Sequence, residues 1–440
     1  MSQKIAVIGG GMAGAAAAHT LLAKGYDVVV IEQNDRLGGR VHTHVVHGAA
    51  VEMGAGFLNT RYVNLLSYLV NAGLDKQLHR YHGNVGLYTD GRVRMITPGT
   101  LISSKLLSGP AKARGAAFML KTFANWRHLD MPTSFGEPAY TNRSVADTYT
   151  SAAGREFMEL VLEPIIDGYF YWNPEHTSQT MMHMVAKLVV ARTYKMRGGL
   201  QRIPETAVTG SEVLLGHTVQ SVRRAAEGSY EITAVSNGKQ RKLYTSGVIC
   251  ATTASAVPHI LTDLTHRQRD FFSAVRYSTG ALIARTYKEE QTLGAKSIAF
   301  PRREKTGLAS VTLAAESTAG GDAYATVKTY ASGTTAARVA ALPDEQLIDT
   351  LVRNMAPVRD SVLTRGSKPV ATHVQRWHEA LPFFDSDHFK RLQAFTRGEI
   401  ENVDSALTFA GDYIGGPCME GAFTSGVQAA RRLDERLHRQ

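Results

Sequence analysis

Two glycine-dense stretches stand almost a whole chain apart in this 440-residue sequence. The first is IGGGMAG at residues 8–14, and the second is FAGDYIGGPCMEGAFTSG at residues 409–426. Glycine lets the backbone approach a ligand closely, and the free amides at a helix N-terminus attract anions. Two such turns in one chain predict a single long ligand that carries charge or carbonyl oxygens at both ends.

The first stretch contains the pattern G-x-G-x-x-G at Gly9, Gly11 and Gly14, between a predicted strand and a predicted helix. The first glycine permits the tight turn, the second lets the backbone approach a pyrophosphate, and the third lets the helix pack closely on the strand. Glu32 ends the next predicted strand, where a carboxylate accepts hydrogen bonds from an adenosine ribose. These features predict a dinucleotide site, and the acid argues against a 2′-phosphate.

A further glycine pair follows in RLGGRVHT, residues 36–43. Gly39 brings the backbone close to a ligand, and Arg40 offers a fixed cation for a phosphate or a flavin edge. With this segment after Glu32, the chain resembles the flavin amine oxidase superfamily, which includes monoamine oxidases, amino-acid oxidases, protoporphyrinogen oxidases and phytoene desaturase-like enzymes. The resemblance implies FAD as the cofactor, with the two glycine-dense stretches at its two ends.

Other segments resemble parts of the same superfamily. VEMGAGFL, which contains Gly54, is similar to a flavin-lining segment, and GHTVQSV is similar to a strand whose valine, here Val219, contacts adenine. RGGLQRIPETAV resembles the return helix of these proteins, and RWHEALP resembles their substrate-side tryptophan segment, with Trp377. Covalently flavinylated members keep a cysteine soon after that tryptophan, and residues 378–400 contain none. The resemblance therefore implies non-covalent FAD.

The resemblance places the flavin end of the cofactor at the C-terminal stretch. Gly411 and Asp412 would lie at the ribityl–pyrophosphate part, and Met419, Glu420 and Ala422 would lie at the ring. A helix that starts at Met419 aims its N-terminal amides at the pyrimidine oxygen of the ring, where negative charge grows as a hydride arrives.

Two positions depart from the amine oxidases. Cys418 stands where monoamine oxidases have a cage tyrosine, and Ala284 stands where many members have a lysine under the flavin, although a shifted alignment would bring in Lys288. These departures favour protoporphyrinogen oxidase-like or small-ring chemistry over simple primary amines. No catalytic base is assigned. A core position is the alternative for each aromatic residue of the predicted substrate pocket. That pocket contains Phe57, Tyr169, Tyr171, Trp377 and Cys418.

The elements that must position these residues are predicted to form an α/β fold with an α+β substrate part. It is a Rossmann-like FAD-binding domain of the glutathione-reductase type with an inserted mixed sheet-and-helix substrate domain. Residues 211–254 alternate in short runs and predict a β-meander. The FAD-binding domain is predicted at residues 1–75, 197–270 and 400–440. The substrate-binding domain is predicted at residues 76–196 and 271–399, with a helical part near 100–195.

Composition narrows the class of protein. The hydrophobic content of 44% and the charged content of 20% are ordinary for a soluble globular protein. The net charge of +10 favours an anionic partner, but no dense run of Lys and Arg indicates nucleic acid. The basic segment 103–129 permits contact with a membrane surface, although an amphipathic helix over a core is favoured. With only two cysteines and no apolar leader, we expect a cytoplasmic location and no metal site.

The expected activity is hydride transfer from a CH–NH or CH–CH bond of a small nitrogen-containing or conjugated ring substrate to FAD, with dioxygen as the electron acceptor. One alternative is a protoporphyrinogen or coproporphyrinogen oxidase, and another is a carotenoid-type desaturase that works at a membrane. A catalytically silent flavin-binding protein is the least favoured alternative. The substrate and the oligomeric state stay open.

Overall fold

The structure is a computed structural model of the chain. It describes residues 3–439 except 82, 104, 125–142, 182–190, 289–294, 318–322, 365 and 402–404. The β-strands of the described residues are β1 (Lys4–Ile8), β2 (Asp27–Ile31), β3 (Thr43–Val46), β4 (Ala49–Glu52), β5 (Leu58–Asn59), β6 (Leu78–Tyr81), β7 (Val85–Thr89), β8 (Arg92–Ile96), β9 (Thr193–Met196), β10 (Glu212–Leu214), β11 (Thr218–Arg224), β12 (Tyr230–Ser236), β13 (Lys239–Thr245), β14 (Gly247–Cys250), β15 (Gly280–Tyr287), β16 (Ser297–Ala299), β17 (Leu308–Ser317), β18 (Ala323–Ala331), β19 (Ala371–Trp377) and β20 (Leu407–Phe409).

The α-helices of the same residues are numbered in chain order. They are α1 (Met12–Leu22), α2 (Val63–Asn71), α3 (Pro98–Ser103), α4 (Gly109–Ala124), α5 (Val145–Ala152), α6 (Arg155–Phe157), α7 (Glu163–Phe170), α8 (Arg202–Ala207), α9 (Val257–Ile260), α10 (His266–Ser273), α11 (Ala336–Ala340), α12 (Asp344–Asn354), α13 (Arg359–Val362), α14 (Ser386–Thr396), α15 (Asp412–Gly415) and α16 (Met419–Leu437).

A five-stranded parallel sheet has the spatial order β10-β2-β1-β14-β20. The sequences KIAVI in β1 and DVVVI in β2 are nearly continuous apolar runs, as expected for a sheet that is buried on both faces. The carboxyl ends of parallel strands share one edge of the sheet. The glycine-dense stretches that follow β1 and β20 therefore lie at the same edge.

Helices α1 and α16 pack closely because small residues lie between them. Ala15, Ala16, Ala17 and Ala18 are fully buried, and a Cβ on Gly426 would lie 2.0 Å from the carbonyl oxygen of Ala13. Only glycine leaves room for this approach of two helix backbones. The contact holds the two helices that begin at the two glycine-dense stretches side by side.

Residues 211–254 form a meander only in their middle part. Strands β11, β12 and β13 make a separate antiparallel sheet, whereas β10 and β14 join the parallel sheet. The sequence GVIC of β14 is buried throughout and lies between β1 and β20. A short apolar strand of this kind suits the centre of a parallel sheet, which alternation along the chain does not reveal.

A seven-stranded mixed sheet has the order β19-β15-β18-β17-β16-β7-β8, and β16 and β7 are its parallel pair. Ala281 and Ile283 of β15 share a core with residues of α11, α12 and α13. The alternate residues Leu282 and Ala284 point the other way and pack against Met53, just after β4. We call the face that carries Leu282 and Ala284 the inner face.

The two sheets divide along the predicted domain ranges. Every strand of the parallel sheet falls in the ranges predicted for the FAD-binding domain, and every strand of the seven-stranded sheet falls in those predicted for the substrate domain. Helices α3 to α7 occupy the described portions of the part predicted to be helical. Residues 125–142 and 182–190 of that part lie outside the described residues. The domain boundaries themselves stay a prediction.

Candidate active site

The first glycine turn is packed on one side and open on the other. A Cβ on Gly14 would lie 1.9 Å from the carbonyl oxygen of Gly9, and a Cβ on Gly9 would lie 2.7 Å from that of Ala251. By contrast, a Cβ on Gly11 would meet no atom within 4 Å. Gly11 is the N-cap of α1, and no side chain caps the first turn of that helix. The turn therefore offers open backbone where a pyrophosphate can approach helix amides.

Glu32 lies beside this turn and is 5% exposed. Its carboxylate accepts hydrogen bonds from the N–H of Gly10 at 2.7 Å and from the N–H of Asn34 at 2.9 Å. The N–H of His217 donates to the backbone carbonyl of Glu32 at 2.9 Å, which brings the start of β11, and with it Val219, close to Glu32. Contacts of Glu32 with ribose and of Val219 with adenine stay predictions.

The second glycine pair extends the surface of the first turn. The N–H of Gly38 donates to the carbonyl of Gly10 at 2.9 Å, and a Cβ on Gly39 would lie 3.5 Å from the Cα of Gly11. Gly38 has a φ of +102° and Gly39 a φ of +55°, a region of backbone conformation that favours glycine. Together the two turns form one surface of glycine backbone, which is partly accessible at Gly9, Gly11 and Gly39.

Arg40 and Asp412 join the N-terminal and the C-terminal motifs. The guanidinium donates to both carboxylate oxygens, from Nη1 at 2.8 Å and from Nη2 at 2.9 Å, and Nη1 also donates to the carbonyl of Ala380 at 3.0 Å. Burial alone would lower the pKa of Arg40, but the charge and hydrogen bonds of Asp412, together with the nearby Tyr277 and Glu379, leave the pKa raised. This bidentate pair is a fixed link between two segments that the sequence separates widely.

The C-terminal turn is also packed by glycine backbone. A Cβ on Gly415 would lie 2.0 Å from the carbonyl oxygen of Gly421. The N–H of Gly411 donates to Oγ of Ser425 at 2.9 Å. Cys418 is the N-cap of α16, and its Sγ accepts a hydrogen bond from the N–H of Gly421 at 3.4 Å. These contacts hold the beginning of α16 rigidly against the turn.

Met419, Glu420 and Ala422 lie in the first turn of α16, where they were predicted to face a ring. The carboxylate of Glu420 accepts hydrogen bonds from the N–H of Asn64 at 2.8 Å and of Leu65 at 2.9 Å. It thus satisfies free amides at the start of α2, and burial raises its pKa. The side chain of Glu420 is occupied by α2, so its predicted contact with the ring would be made by backbone.

Trp377 packs on the segment that contains Gly54. Its Nε1 donates to the carbonyl of Met53 at 3.0 Å. A Cβ on Gly54 would lie 1.9 Å from the carbonyl oxygen of Arg40 and 3.2 Å from Cζ2 of Trp377. The structure therefore brings together Arg40, Gly54 and Trp377, three predicted site residues from three distant segments.

A buried lysine that sequence reasoning missed lies on the inner face. Lys328 of β18 is directly opposite Ala284 of β15, and opposed residues of antiparallel strands point to the same face. Lys328 is 8% exposed, and its Nζ donates to the carbonyl of Glu52 at 2.9 Å. Lys288 is exposed, so it does not supply the lysine that Ala284 lacks. A lysine inside the apolar strand AYATVKTYA was the available signal.

Glu52 ties three segments to each other. Its carboxylate accepts hydrogen bonds from the N–H of Leu200 at 2.7 Å and from Oγ1 of Thr43 at 2.9 Å, while its carbonyl accepts the bond from Lys328. Burial raises the pKa of Glu52 to about 7, although these hydrogen bonds and the charge of Lys328 oppose the shift. Glu52 is therefore a group that titrates near neutral pH directly before the Gly54 segment.

Tyr171 lies over the inner face at the end of α7. A Cβ on Gly280 would lie 3.2 Å from its ring, and its ring centroid lies 6.3 Å from that of Tyr330. Gly280 is directly opposite Trp377, so Tyr171 and Trp377 meet at this glycine. Burial raises the pKa of Tyr171 well above its ordinary value, and its phenol is neutral at physiological pH.

Of the other predicted pocket residues, Phe57 pairs with Tyr169, and Cys418 pairs with Tyr62. The rings of Phe57 and Tyr169 meet edge to face at 5.9 Å, and 47% of Tyr169 is exposed. The hydroxyl of Tyr62 hydrogen-bonds the thiol of Cys418, and burial raises the pKa of Cys418 to about 12. Cys418 is thus a neutral thiol held between Tyr62 and the first turn of α16.

These contacts define a class of protein. Open backbone at Gly11, the start of α1 and the Arg40–Asp412 pair lie along the carboxyl edge of a parallel sheet, where α/β folds bind dinucleotides. The inner face, with Trp377 and Lys328, bounds the candidate site on the opposite side, where Trp377 packs on Gly54. A long anionic cofactor with a flat ring fits this arrangement, because amides serve its phosphates and apolar surface serves its ring. The fold and the site are those of a dinucleotide-dependent oxidoreductase.

The chain belongs to the flavin containing amine oxidoreductase family, whose model matches residues 12–434. The predicted superfamily, its flavin cofactor and the class of flavin-dependent oxidoreductase are thereby confirmed.

Individual relatives cover the chain very unequally. It is 42% identical to the flavin-dependent L-tryptophan oxidase RebO of Lentzea aerocolonigenes over 83 residues, 18% of this chain and 18% of that enzyme. It is 20% identical to protoporphyrinogen oxidase 2, chloroplastic/mitochondrial, of Arabidopsis thaliana over 488 residues, 97% of this chain and 93% of that enzyme.

Solved structures of the family share the fold. Cyclohexylamine oxidase from Brevibacterium oxydans superimposes with a TM-score of 0.76 at 17% identity, and the match covers 100% of both chains. The predicted α/β fold class is confirmed, and at this identity the likeness concerns the fold alone. Among the described residues, no helix has the length and apolar character needed to cross a membrane.

Proposed function

We propose that the chain binds FAD non-covalently and oxidises a CH–NH or CH–CH bond of a small nitrogen-containing or conjugated ring compound, with dioxygen as the electron acceptor. The observation that carries the proposal is the meeting of Arg40, Gly54 and Trp377, because it joins the glycine turns to the inner face. Bound FAD supplies the ring that accepts a hydride, and the chain supplies binding, orientation and electrostatics.

The cofactor would be held at both of its ends by backbone. Open backbone at Gly11 and the first turn of α1 suit the pyrophosphate, and the fixed carboxylate of Glu32 suits a ribose hydroxyl. The first turn of α16, held by Cys418 and Ser425, directs its amides and the positive end of its dipole to the place assigned to the ring.

Residues of the inner face would orient the substrate and keep water away. The indole of Trp377 and the phenols of Tyr171 and Tyr330 offer flat surfaces for a ring. Tyr171 is neutral, so it can donate a hydrogen bond but cannot act as a base. The ammonium of Lys328 favours negative charge that develops nearby during hydride transfer. No side chain is given the role of base.

Non-covalent binding is supported by the surroundings of the two cysteines. Cys250 is fully buried in β14, inside the parallel sheet. Cys418 is a neutral thiol that accepts the N–H of Gly421 and the hydroxyl of Tyr62. Thiolates, rather than neutral thiols, are the reactive nucleophiles.

Oxidation of a porphyrinogen is a second candidate, and one observation favours it. The similarity to the Arabidopsis protoporphyrinogen oxidase extends over 97% of the chain, whereas the more identical match to the tryptophan oxidase covers 18%. A large ring that becomes conjugated on oxidation fits an inner face built from Trp377, Tyr171 and Tyr330.

An anaerobic absorbance titration tests the proposal. The purified protein is supplied with FAD and then with amines, cyclic imine precursors and porphyrinogens, while the oxidised-flavin band is followed. We expect one class of compound to bleach the band, and we expect admission of air to restore it. Bleaching by porphyrinogens alone selects the second candidate, and a band that survives the whole panel contradicts both. Absence of any flavin band after FAD is supplied would contradict the cofactor assignment.

A further inference from the structure

A basic pocket lies where a small sheet meets the seven-stranded sheet, away from the glycine turns. The small sheet has the order β5-β9-β6, and β17 of the seven-stranded sheet forms the opposite wall together with Lys296, directly before β16. The cavity has a volume of about 180 Å³, space for about six water molecules. We call it the Tyr81 pocket. Its lining residues are His79, Arg80, Tyr81, Lys195, Lys296, Leu313 and Ala315.

Strand register collects the positive groups on one side of the small sheet. His79 of β6 is directly opposite Lys195 of β9, so their side chains share a face, and Tyr81 is two residues further along that face. Lys195 Nζ lies 5.1 Å from the centroid of the Tyr81 ring, and Lys296 Nζ lies 5.6 Å from the same centroid. Two ammonium groups from different sheets thus converge on one aromatic ring.

Two of the lining groups, Lys296 and His79, could each use an acceptor. None of the described lining residues is acidic, and Lys296 forms no ion pair with any residue that the structure describes. Nδ1 of His79 is buried and has no hydrogen-bond partner within the described part of the chain. A bound anion would pair with the ammonium of Lys296 and accept a hydrogen bond from His79. An oxyanion also offers several acceptor atoms at once.

We propose that the Tyr81 pocket binds the oxyanion group, phosphate or carboxylate, of a small organic molecule. The two ammonium groups would hold the oxygens, His79 would donate to one of them, and the apolar wall of Leu313 and Ala315 would contact the carbon skeleton. The volume of the cavity suits an ion of phosphate or dicarboxylate size. The proposal does not depend on the proposed function, because no residue of the pocket belongs to the candidate active site.

Calorimetric titration of the FAD-supplied protein with inorganic phosphate, and separately with succinate, tests this proposal at low ionic strength. Supplying FAD first occupies the glycine turns, which would otherwise compete for phosphate. We expect saturable binding of at least one of the two anions. Replacement Lys296→Met should weaken it about 10- to 100-fold, because a hydrogen bond to a charged group is lost. Lys296 is exposed, so this change leaves the fold intact.

Lys239→Met is the matched control, because Lys239 is an exposed lysine of β13, in another sheet. It should leave binding unchanged, while Lys195→Met should weaken binding as Lys296→Met does. Binding of phosphate alone identifies a phosphate-bearing ligand, and binding of succinate alone identifies a carboxylate-bearing one. The proposal is overturned if neither anion binds saturably, if Lys296→Met binds as tightly as the unaltered protein, or if Lys239→Met weakens binding equally.

Discussion

The glycine turns and the inner face of the seven-stranded sheet are constructed by opposite means. In the turns, function depends on missing side chains, since a Cβ on Gly14 would collide with Gly9, five residues earlier in the chain. On the inner face, function depends on side chains that meet only through strand register. Lys328 and Ala284 are forty-four residues apart in sequence, and pairing of β15 with β18 places them opposite each other.

This difference separates what holds a cofactor from what selects a substrate. Constraints within a few residues leave a recognisable pattern in the sequence. Constraints between strands leave almost none, because a change of register by one residue turns every side chain to the other face. Related proteins can therefore keep the cofactor side and alter the inner face, which agrees with long stretches of similarity at low identity.

Arg40→Met should have the largest effect and tests whether the cofactor side depends on its ion pair. The change leaves the buried carboxylate of Asp412 without its bidentate partner. We expect the free energy of unfolding to fall by about 3 kcal/mol, the low end for a broken buried pair, since Arg40 is partly exposed. Urea denaturation measures it. Lys242→Met, which breaks an exposed pair with Glu231, is the control and should leave the free energy of unfolding nearly unchanged.

Gly14→Ala and Gly11→Ala form a matched pair that separates packing from ligand contact. Gly14→Ala should lower the free energy of unfolding by about 1–3 kcal/mol, with or without FAD, because its Cβ overlaps backbone. Gly11→Ala should cost less than about 1 kcal/mol, the difference between these residues as N-caps, yet weaken FAD binding at least about tenfold. Fluorescence titration with FAD measures the affinity. Unchanged affinity in Gly11→Ala would place the pyrophosphate elsewhere.

Lys328→Met tests whether the inner face acts on the cofactor electrostatically. Removal of the buried ammonium should lower the reduction potential of bound flavin by about 30 mV, equivalent to about 1.4 kcal/mol for a two-electron couple. Equilibration with a reference dye gives the potential without knowledge of the substrate. Lys288→Met is the control, because Lys288 is exposed directly after the end of β15. Equal potentials in all three proteins would show that Lys328 does not reach the ring.

Glu52→Gln should act only through pH, as a change in the slope of the free energy of unfolding. The pKa of Glu52 is about 7 in the folded protein against 4.5 ordinarily, so its proton is held more tightly in the folded state. Its stabilising contribution is complete below pH 4.5 and is lost as pH rises to about 7. The free energy of unfolding should fall by about 1 kcal/mol per pH unit in that window. Glu52→Gln should flatten this slope, and an unaltered slope would contradict the assignment.

The sequence was sufficient for β1 and β2 of the parallel sheet and for the places of the glycine turns, but it assigned β10 and β14 to a meander. Apolar strands, the G-x-G-x-x-G pattern and the acid at Glu32 are local signals with local causes, and the structure brings these residues to one edge of the sheet. It also foresaw the segments of Gly54 and Trp377, whose resemblance to the superfamily is specific. Their mutual contact through the carbonyl of Met53 was not foreseeable, because it is a tertiary hydrogen bond.

The inner face was largely beyond sequence reasoning. The sequence of β15 alone indicates that a lysine is missing at Ala284. The neighbouring strand β18, however, carries Lys328 directly opposite Ala284. The sequence predicts Glu420 at a ring, which stays a prediction, but it did not reveal that the carboxylate accepts hydrogen bonds from amides of α2, more than three hundred residues earlier in the chain. Such roles depend on which elements become neighbours, and no periodicity within one element records that.

Gly426 has a meaning beyond close packing. Its close approach to the carbonyl of Ala13 fixes the separation of α1 and α16. The packing of the helix pair therefore fixes the distance between the two turns, and a molecule that spans both turns must match this distance. A flavin without its adenylate half would reach only one of the two turns. Selection of a flavin with its adenylate half over a flavin without it would then depend on how closely the backbones of α1 and α16 pack.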